Sequence, residues 1–305
     1  MIERSPFFDA VTYAAMILGA IVVLVPFWIT FVAGSMTVQE VNQVPIGLTP
    51  SGHLWDNLQT AWDRGDLGRK MMNSFVVAAW VTAGKIVLAA MSAFAIVFFT
   101  FRARMLCFWL IFITLMLPLE VRIVPTYSVA ANALQPFQAI LDVTGVTGLI
   151  AAVSGVRIGL EWNMLNSYTG LILPLVATAT GTFLYRQFFM TIPDELVEAS
   201  KMDGAGPVRF LVEVLLPLSR TNMLALATIM FVASWNQYLW PLLITTDRAN
   251  YGTAVMQLKA LIPAEFGLPD WNVTMAGALI IMLPPLLIVA FMQRWFVRGL
   301  ITRDK

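Results

Sequence analysis

Three charged side chains stand inside otherwise apolar stretches: Lys85 within residues 73–100, and Glu120 with Arg122 within residues 105–130. A charge at the centre of a bilayer costs about 2.5–3.5 kcal/mol, so each of these needs a partner or a watered cavity. Glu120 and Arg122 are two residues apart, which on a regular helix turns them to opposite sides, so they cannot satisfy each other. Arg presents a planar fork of donors that fits phosphate and Lys adds a compact charge; Arg122 and Lys85 therefore suit an anion, with Glu120 as a gating or structural counter-charge. A structural ion pair across helices, or with a neighbouring subunit, is the competing reading. Tyr127 follows on the same stretch. Trp235, Asn236 and Tyr238 bring aromatic faces and one amide into another apolar run, which suits the wall of a small-solute path and ordinary packing equally well.

Other chemistry is argued against. One His (His53, in a polar loop) and one Cys (Cys107) do not make a multi-ligand metal site or a disulfide framework, and a net charge of +1 gives no polyanion-binding surface, so no metal and no nucleic acid is expected. No G-x-x-x-x-G-K-[ST] occurs; Gly84-Lys85 lacks both the upstream Gly and the following hydroxyl, so nothing cradles a nucleotide. An intramembrane enzyme or a proton-coupled carrier would want clustered acids, or a nucleophile with its base, within the bilayer, and only Lys85, Glu120 and Arg122 are there. No catalytic residue and no cofactor of its own is expected of this chain.

These residues must be positioned by membrane helices. The 305 residues are 59% hydrophobic and 12% charged, with a mean hydropathy of +0.77, which places the chain in the all-α membrane class as one domain, 1–305, without internal repeats. A span needs about 20 apolar residues. Six such spans fit, near 11–33, 73–100, 105–130, 168–188, 219–245 and 272–295. The first is longer than the apolar core of a signal peptide, about 7–15 residues, and is read as a retained helix. Residues 34–70 read as an exposed loop with an amphipathic piece near 54–62, and 131–167 as a loop with an interfacial element, because its uncharged run 143–156 is short and rich in Gly.

One long polar interruption separates the fourth and fifth spans. Eight charged residues fall between Arg186 and Leu216, so residues 189–217 must lie in water. Thr191 with Asp194 has capping-box spacing and Pro193 suits a first turn, which predicts a helix from near Ile192 with Asp194, Glu198 and Lys201 on one face and Leu196, Ala199 and Met202 towards another. Gly204 and Gly206 stop it. Pro207 then opens a second short helix that Pro217 ends or bends.

The run Glu198-Ala199-Ser200-x-x-Asp203-Gly204-Ala205, followed by Phe210 and Pro217, resembles the cytoplasmic EAA loop of ATP-binding-cassette importer membrane subunits, with Ser200 where the motif has a second Ala. Trp235-Asn236-Gln237-Tyr238-Leu239-Trp240-Pro241-Leu242 resembles the W-N-x-[FY]-x-W-P-L pattern of the carbohydrate-type permeases, and nearly the whole chain then fits that family. Residues 115–126, 183–190 and 292–300 look closest to its sn-glycerol-3-phosphate branch; the stretch 132–166 is longer than that family leads one to expect. The resemblance implies a type I importer permease fold in which Glu198, Ala199, Ser200, Asp203, Gly204, Ala205, Phe210 and Pro217 couple to an ATPase. It also implies a second homologous permease, two ATPase subunits carrying ATP and Mg, an external solute-binding protein and surrounding lipid. The implied substrate is sn-glycerol-3-phosphate, with glycerophosphodiesters or a neutral sugar left open.

With that loop inside, eleven Lys and Arg lie on its side of the membrane against six on the other, so both termini are expected in the cytoplasm of a bacterial inner-membrane protein.

Overall fold

The computed structural model describes residues 6–156, 159–177, 179–262 and 268–301, and excludes the side chains of Leu115, Leu119, Glu120 and residues 294–301. All regular secondary structure among the described residues is helical, without strands. Three helices are long and apolar enough to cross a membrane: α1 (Pro6–Ser35), α3 (Leu67–Phe98) and, in its part Trp271–Gln293, the last helix Trp271–Ile301. α1 is buried only at its end, from Val32 to Ser35, and exposes apolar side chains along the rest, the composition that lipid requires.

Residues 1–71 and 254–284 pack as one unit, and residues 72–253 with 285–305 as another. In the first, α2 (Leu54–Arg64), predicted as an amphipathic piece, lays Asn57 and Ala61 inward. The Asn57 amide donates to the carbonyls of Gly34 (2.9 Å) and Met36 (2.8 Å), closing the frayed end of α1, and its oxygen accepts from Asn272 at 2.8 Å. Arg64 pairs with Asp270 at 2.6 Å. His53 lies at the start of α2, half in solvent.

In the second unit the spans predicted from hydropathy are broken where proline dictates. The third separates into α4 (Arg104–Ile113) and α5 (Leu119–Ala131), with a 3-10 turn at Thr114–Met116 between them. Pro118 lacks an N–H and forces Leu117 to an extended conformation, φ −87° and ψ 112°, so a continuous helix over 105–130 is not formed. α6 (Gln135–Val143) and α7 (Val146–Ser154) form a hairpin bent by 77° at Gly145. α8 (Tyr168–Val176) is followed by α9 (Ala179–Phe189). Pro174 cannot donate to the Gly170 carbonyl, and the Trp240 indole N–H does so instead at 3.1 Å.

The polar interruption holds α10 (Asp194–Met202) and α11 (Pro207–Phe210), the latter running through a π turn at Leu211–Leu215 to Leu218. A bend of 77° then leads into α12 (Arg220–Trp235), and residues 236–238 separate this from α13 (Leu239–Ile244). α14 (Ala254–Ala260) and α15 (Trp271–Ile301) complete the chain. α3 runs past both cores of the second unit. Its first half packs Val77 and Val81 with Ile123, Leu171, Trp240 and Ile244; its second packs Ala89, Ala93 and Phe94 with Tyr185, Phe189, Phe210 and Met230.

Candidate functional site

The helix–turn–helix at 194–210 is built by short-range chemistry. α10 starts at Asp194 rather than near Ile192, since Pro193 takes the cap position at ψ 140° and disfavours helical geometry in the residue before it. Thr191 does not cap it; its hydroxyl donates back to the Phe188 carbonyl at 2.7 Å. Asp194 and Glu195 occupy the first turn and Lys201 the last, the order favoured by the helix dipole. At the other end the Asp203 N–H bonds the Ala199 carbonyl (3.0 Å), Gly204 bonds Lys201 (3.0 Å) and Ala205 bonds Ser200 (2.9 Å). The last two make a Schellman stop, which needs a left-handed residue at its apex. Gly204 supplies it, with φ +74°. A Cβ there would meet nothing within 4 Å, so the demand for Gly is conformational and the space beyond it faces outward.

The faces of α10 differ from the predicted division. Leu196 and Met202 are exposed, Met202 at 82%, while Val197 and Ser200 turn towards the helices beneath. Ser200 is buried, which is why a small residue stands there; Glu198 and Asp203 are exposed and Ala199 and Ala205 are half-buried. Phe210, 5% exposed, is the anchor: its ring meets Phe98 edge-on at 5.4 Å and Phe94 at 6.5 Å, and Phe98 meets Phe189 at 5.9 Å. These rings join the 194–210 surface to the ends of α3 and α9. Pro217 lies exposed in the last turn before the 77° bend. The aromatic supports Phe94, Phe98 and Phe189 went unassigned in the sequence, though the cluster Phe98-Phe99-Thr100-Phe101 at the end of a span marks the place.

The membrane residues are brought together in part. Gly84 lets α8 approach α3 closely, since a Cβ there would lie 2.6 Å from Val176. Lys85, on the next step of α3, is half-buried and Arg122 of α5 is exposed, on helices that share one core through Val77, Val81 and Ile123. Neither cation forms an ion pair among the described residues. The Glu120 side chain lies outside the described residues, as do those of the C-terminal Arg294, Arg298, Arg303 and Lys305. Tyr127 is 38% exposed on α5. Trp235 is a packing residue, 2% exposed and stacked on Phe231 at 6.0 Å, whereas Asn236 is exposed and Tyr238 half-buried in the break between α12 and α13. No group of three or more His, Cys, Asp or Glu is placed to hold a metal among the described residues.

The described residues are helices, three of them long and apolar enough to cross a membrane, with a helix–turn–helix on the surface, the form of a membrane subunit. Residues 85–302 match the family described as binding-protein-dependent transport system inner membrane component, and the chain belongs to that family. It is 48% identical over 311 residues to the sn-glycerol-3-phosphate transport system permease protein UgpE of Pectobacterium atrosepticum, with all of both chains covered. It is 46% identical, again over the whole of both chains, to the protein of that name from Escherichia coli O1:K1. Its fold is also that of a chain in the crystal structure of a bacterial ABC transporter involved in the import of the acidic polysaccharide alginate. The TM-score is 0.72 at 17% identity, with 97% of this chain and 100% of that one covered.

Proposed function

We propose that this chain is the permease subunit of an ATP-driven importer of sn-glycerol-3-phosphate, or of a related glycerophosphodiester. A second permease would complete the path, one of two ATPase subunits would dock on residues 194–210 and an external binding protein would deliver the solute. Six spans, with both termini and the 194–217 segment in the cytoplasm, fit the bias of Lys and Arg along the chain. ATP and its Mg ion belong to the partner subunits, and the outward-facing Leu196, Met202 and Val208 supply the apolar contacts for that docking.

The observation that carries the substrate reading is the 48% identity, over the whole of both chains, to an sn-glycerol-3-phosphate transport permease. Lys85 on α3 and Arg122 on α5, cations on separate helices with no acid paired to them among the described residues, suit an anion better than a neutral solute. The guanidinium offers two parallel donors to a phosphoryl group and the ammonium a third. The test is uptake of labelled sn-glycerol-3-phosphate by the reconstituted importer. Arg122→Gln, which keeps hydrogen bonding but loses charge, should abolish most uptake at normal complex yield, and Arg122→Lys should retain part of it. Normal uptake and normal yield in Arg122→Gln would overturn this role. Low yield rescued by Glu120→Gln/Arg122→Gln would make the pair structural instead.

A further inference from the structure

The hairpin of α6 and α7 turns its polar side chains to its own chain and its apolar ones outward, the reverse of an amphipathic helix in water. On α6, Gln135, Gln138 and Asp142 share one face by i, i+3, i+7 spacing. The Leu160 N–H donates to Gln138 Oε1 at 2.9 Å, and Asp142 Oδ1 accepts from Gln138 Nε2 at 3.0 Å and, across the bend, from the Thr147 hydroxyl at 2.6 Å. The opposite face exposes Phe137, Ile140 and Val143, the last at 89%. α7 does the same with Val146, Leu149 and Val153, and neither helix holds a buried residue. We propose that the acyl chains of one membrane leaflet cover these outward faces, so that the hairpin lies in the surface of the bilayer. The inference rests on the topology of the proposed function, under which residues 131–167 are external and the leaflet is the outer one.

Position, length and chemistry favour lipid over a protein partner. α5 ends at Ala131 and α6 starts at Gln135, four Cα steps that reach at most about 14 Å from the end of the span. The foot of the hairpin is fastened at that level. The Ala133 N–H donates to the Trp162 carbonyl and the Met164 N–H to the Ala130 carbonyl, both at 2.9 Å, while Asn132 Oδ1 accepts from the N–H groups of Leu134 and Trp162. The Trp162 ring is exposed there, and Trp settles at the boundary between membrane and water. Each arm has 9 residues, about 13 Å of helix, too short to cross a hydrocarbon core of about 30 Å and suited to lying along its edge with the apolar face down. Hydrogen-bond donors on the arms are already used. Thr144 and Ser154 turn their hydroxyls back on the carbonyls of Ile140 (2.8 Å) and Ile150 (2.7 Å), as lipid requires, whereas a protein interface draws about one hydrogen bond from every 100–200 Å². Asp142, the one charge between 135 and 154, stands on the polar face.

The experiment uses the complete importer in phosphatidylcholine vesicles, with Cys107, the chain's one cysteine, replaced by Ala. Nitroxide labels are attached one at a time through Ile140→Cys on α6, Val153→Cys on α7 and, as an aqueous reference, Val44→Cys, whose side chain is 97% exposed in the loop after α1. Spin relaxation then reports collisions with oxygen, which concentrates in lipid, and with a nickel chelate, which stays in water. The ratio of oxygen to nickel collisions should be several-fold higher at Ile140 and Val153 than at Val44. Phe137→Cys and Leu149→Cys replace either hairpin variant that fails to assemble. A ratio equal to that at Val44 on either arm overturns the proposal in favour of water. Few collisions with both reagents overturn it in favour of a protein cover, the second permease if seen in the importer alone and the external binding protein if seen only after its addition. Uptake of sn-glycerol-3-phosphate by the same vesicles separates the two proposals: uptake with water-like labels defeats only the placement of the hairpin, and lipid-like labels without uptake defeat only the substrate reading.

Discussion

Residues 194–210 close on themselves, each turn fixed by hydrogen bonds between residues no more than five apart, whereas Lys85 and Arg122 stand on neighbouring helices only because α3 and α5 pack into one core with Ile123, Val77 and Val81. The shape of the first region is set by near neighbours in sequence, and its anchorage by Phe210. The second exists only while the bundle holds. Under the proposed function the first is the handle that an ATPase moves and the second the place where helices change their relations around the solute.

The sharpest way to break this contrast is at the largest buried side chain by which the handle joins the bundle. Phe210→Ala removes a buried ring and two aromatic contacts, and should destabilise the chain by about 3–5 kcal/mol, read as a fall in denaturant midpoint in detergent. If the midpoint is unchanged, the handle is anchored elsewhere. Next comes the assembled region: Lys85→Gln should lower uptake of sn-glycerol-3-phosphate roughly ten- to a hundred-fold, the scale of a hydrogen bond to a charged group at about 1.5–3 kcal/mol, with little change in stability. A large loss of complex yield would instead make Lys85 structural.

Trp240→Phe tests the repair of the proline break. It leaves the Gly170 carbonyl without its donor at a buried site and should cost about 1–3 kcal/mol in the same unfolding measurement. Gly204→Leu should cost less, about 1–2 kcal/mol for a left-handed residue bearing a Cβ. Its effect on function should be disproportionate, because a Cβ there meets nothing within 4 Å in this chain and, under the proposed function, the turn faces the ATPase. Solute moved per ATP hydrolysed should fall several-fold at normal yield, and a variant that transports like the parent would remove the turn from the coupling element. The smallest effect belongs to Arg209, whose guanidinium is held above its usual range by a 2.7 Å hydrogen bond from its Nε to Glu213 but stands in solvent. Arg209→Ala should leave the unfolding midpoint unchanged, since an exposed pair of this kind is screened by water and salt.

The EAA segment was legible because the rules that shape it are local. Glycine at the apex, acids in the first turn, Lys in the last and Pro207 opening the next helix each act on their own neighbours. The face of α10 was not legible: Val197 and Ser200 turn inward, while Leu196 and Met202, the more obvious apolar pair, stay in solvent. Apolar residues reserved for a partner look the same in sequence as apolar residues meant for the chain's own core.

The same ambiguity runs through the spans. Hydropathy by itself determined that the chain is helical and belongs in a membrane, and motif spacing located the turn at Gly204, because burial in lipid and hydrogen bonding within a turn are both properties of short segments. Only the tertiary structure decided that Trp235 packs while Asn236 sits exposed in a break, that the Trp240 indole replaces the donor missing at Pro174, and that the helices carrying Lys85 and Arg122 pack into one core. The physical reason is that lipid is as apolar as a protein interior, so the alternation that marks an inner face in water carries no information there. Which side chains meet is then settled by how closely the helices approach, as at Gly84 against Val176, and by which broken hydrogen bonds a neighbour can repair.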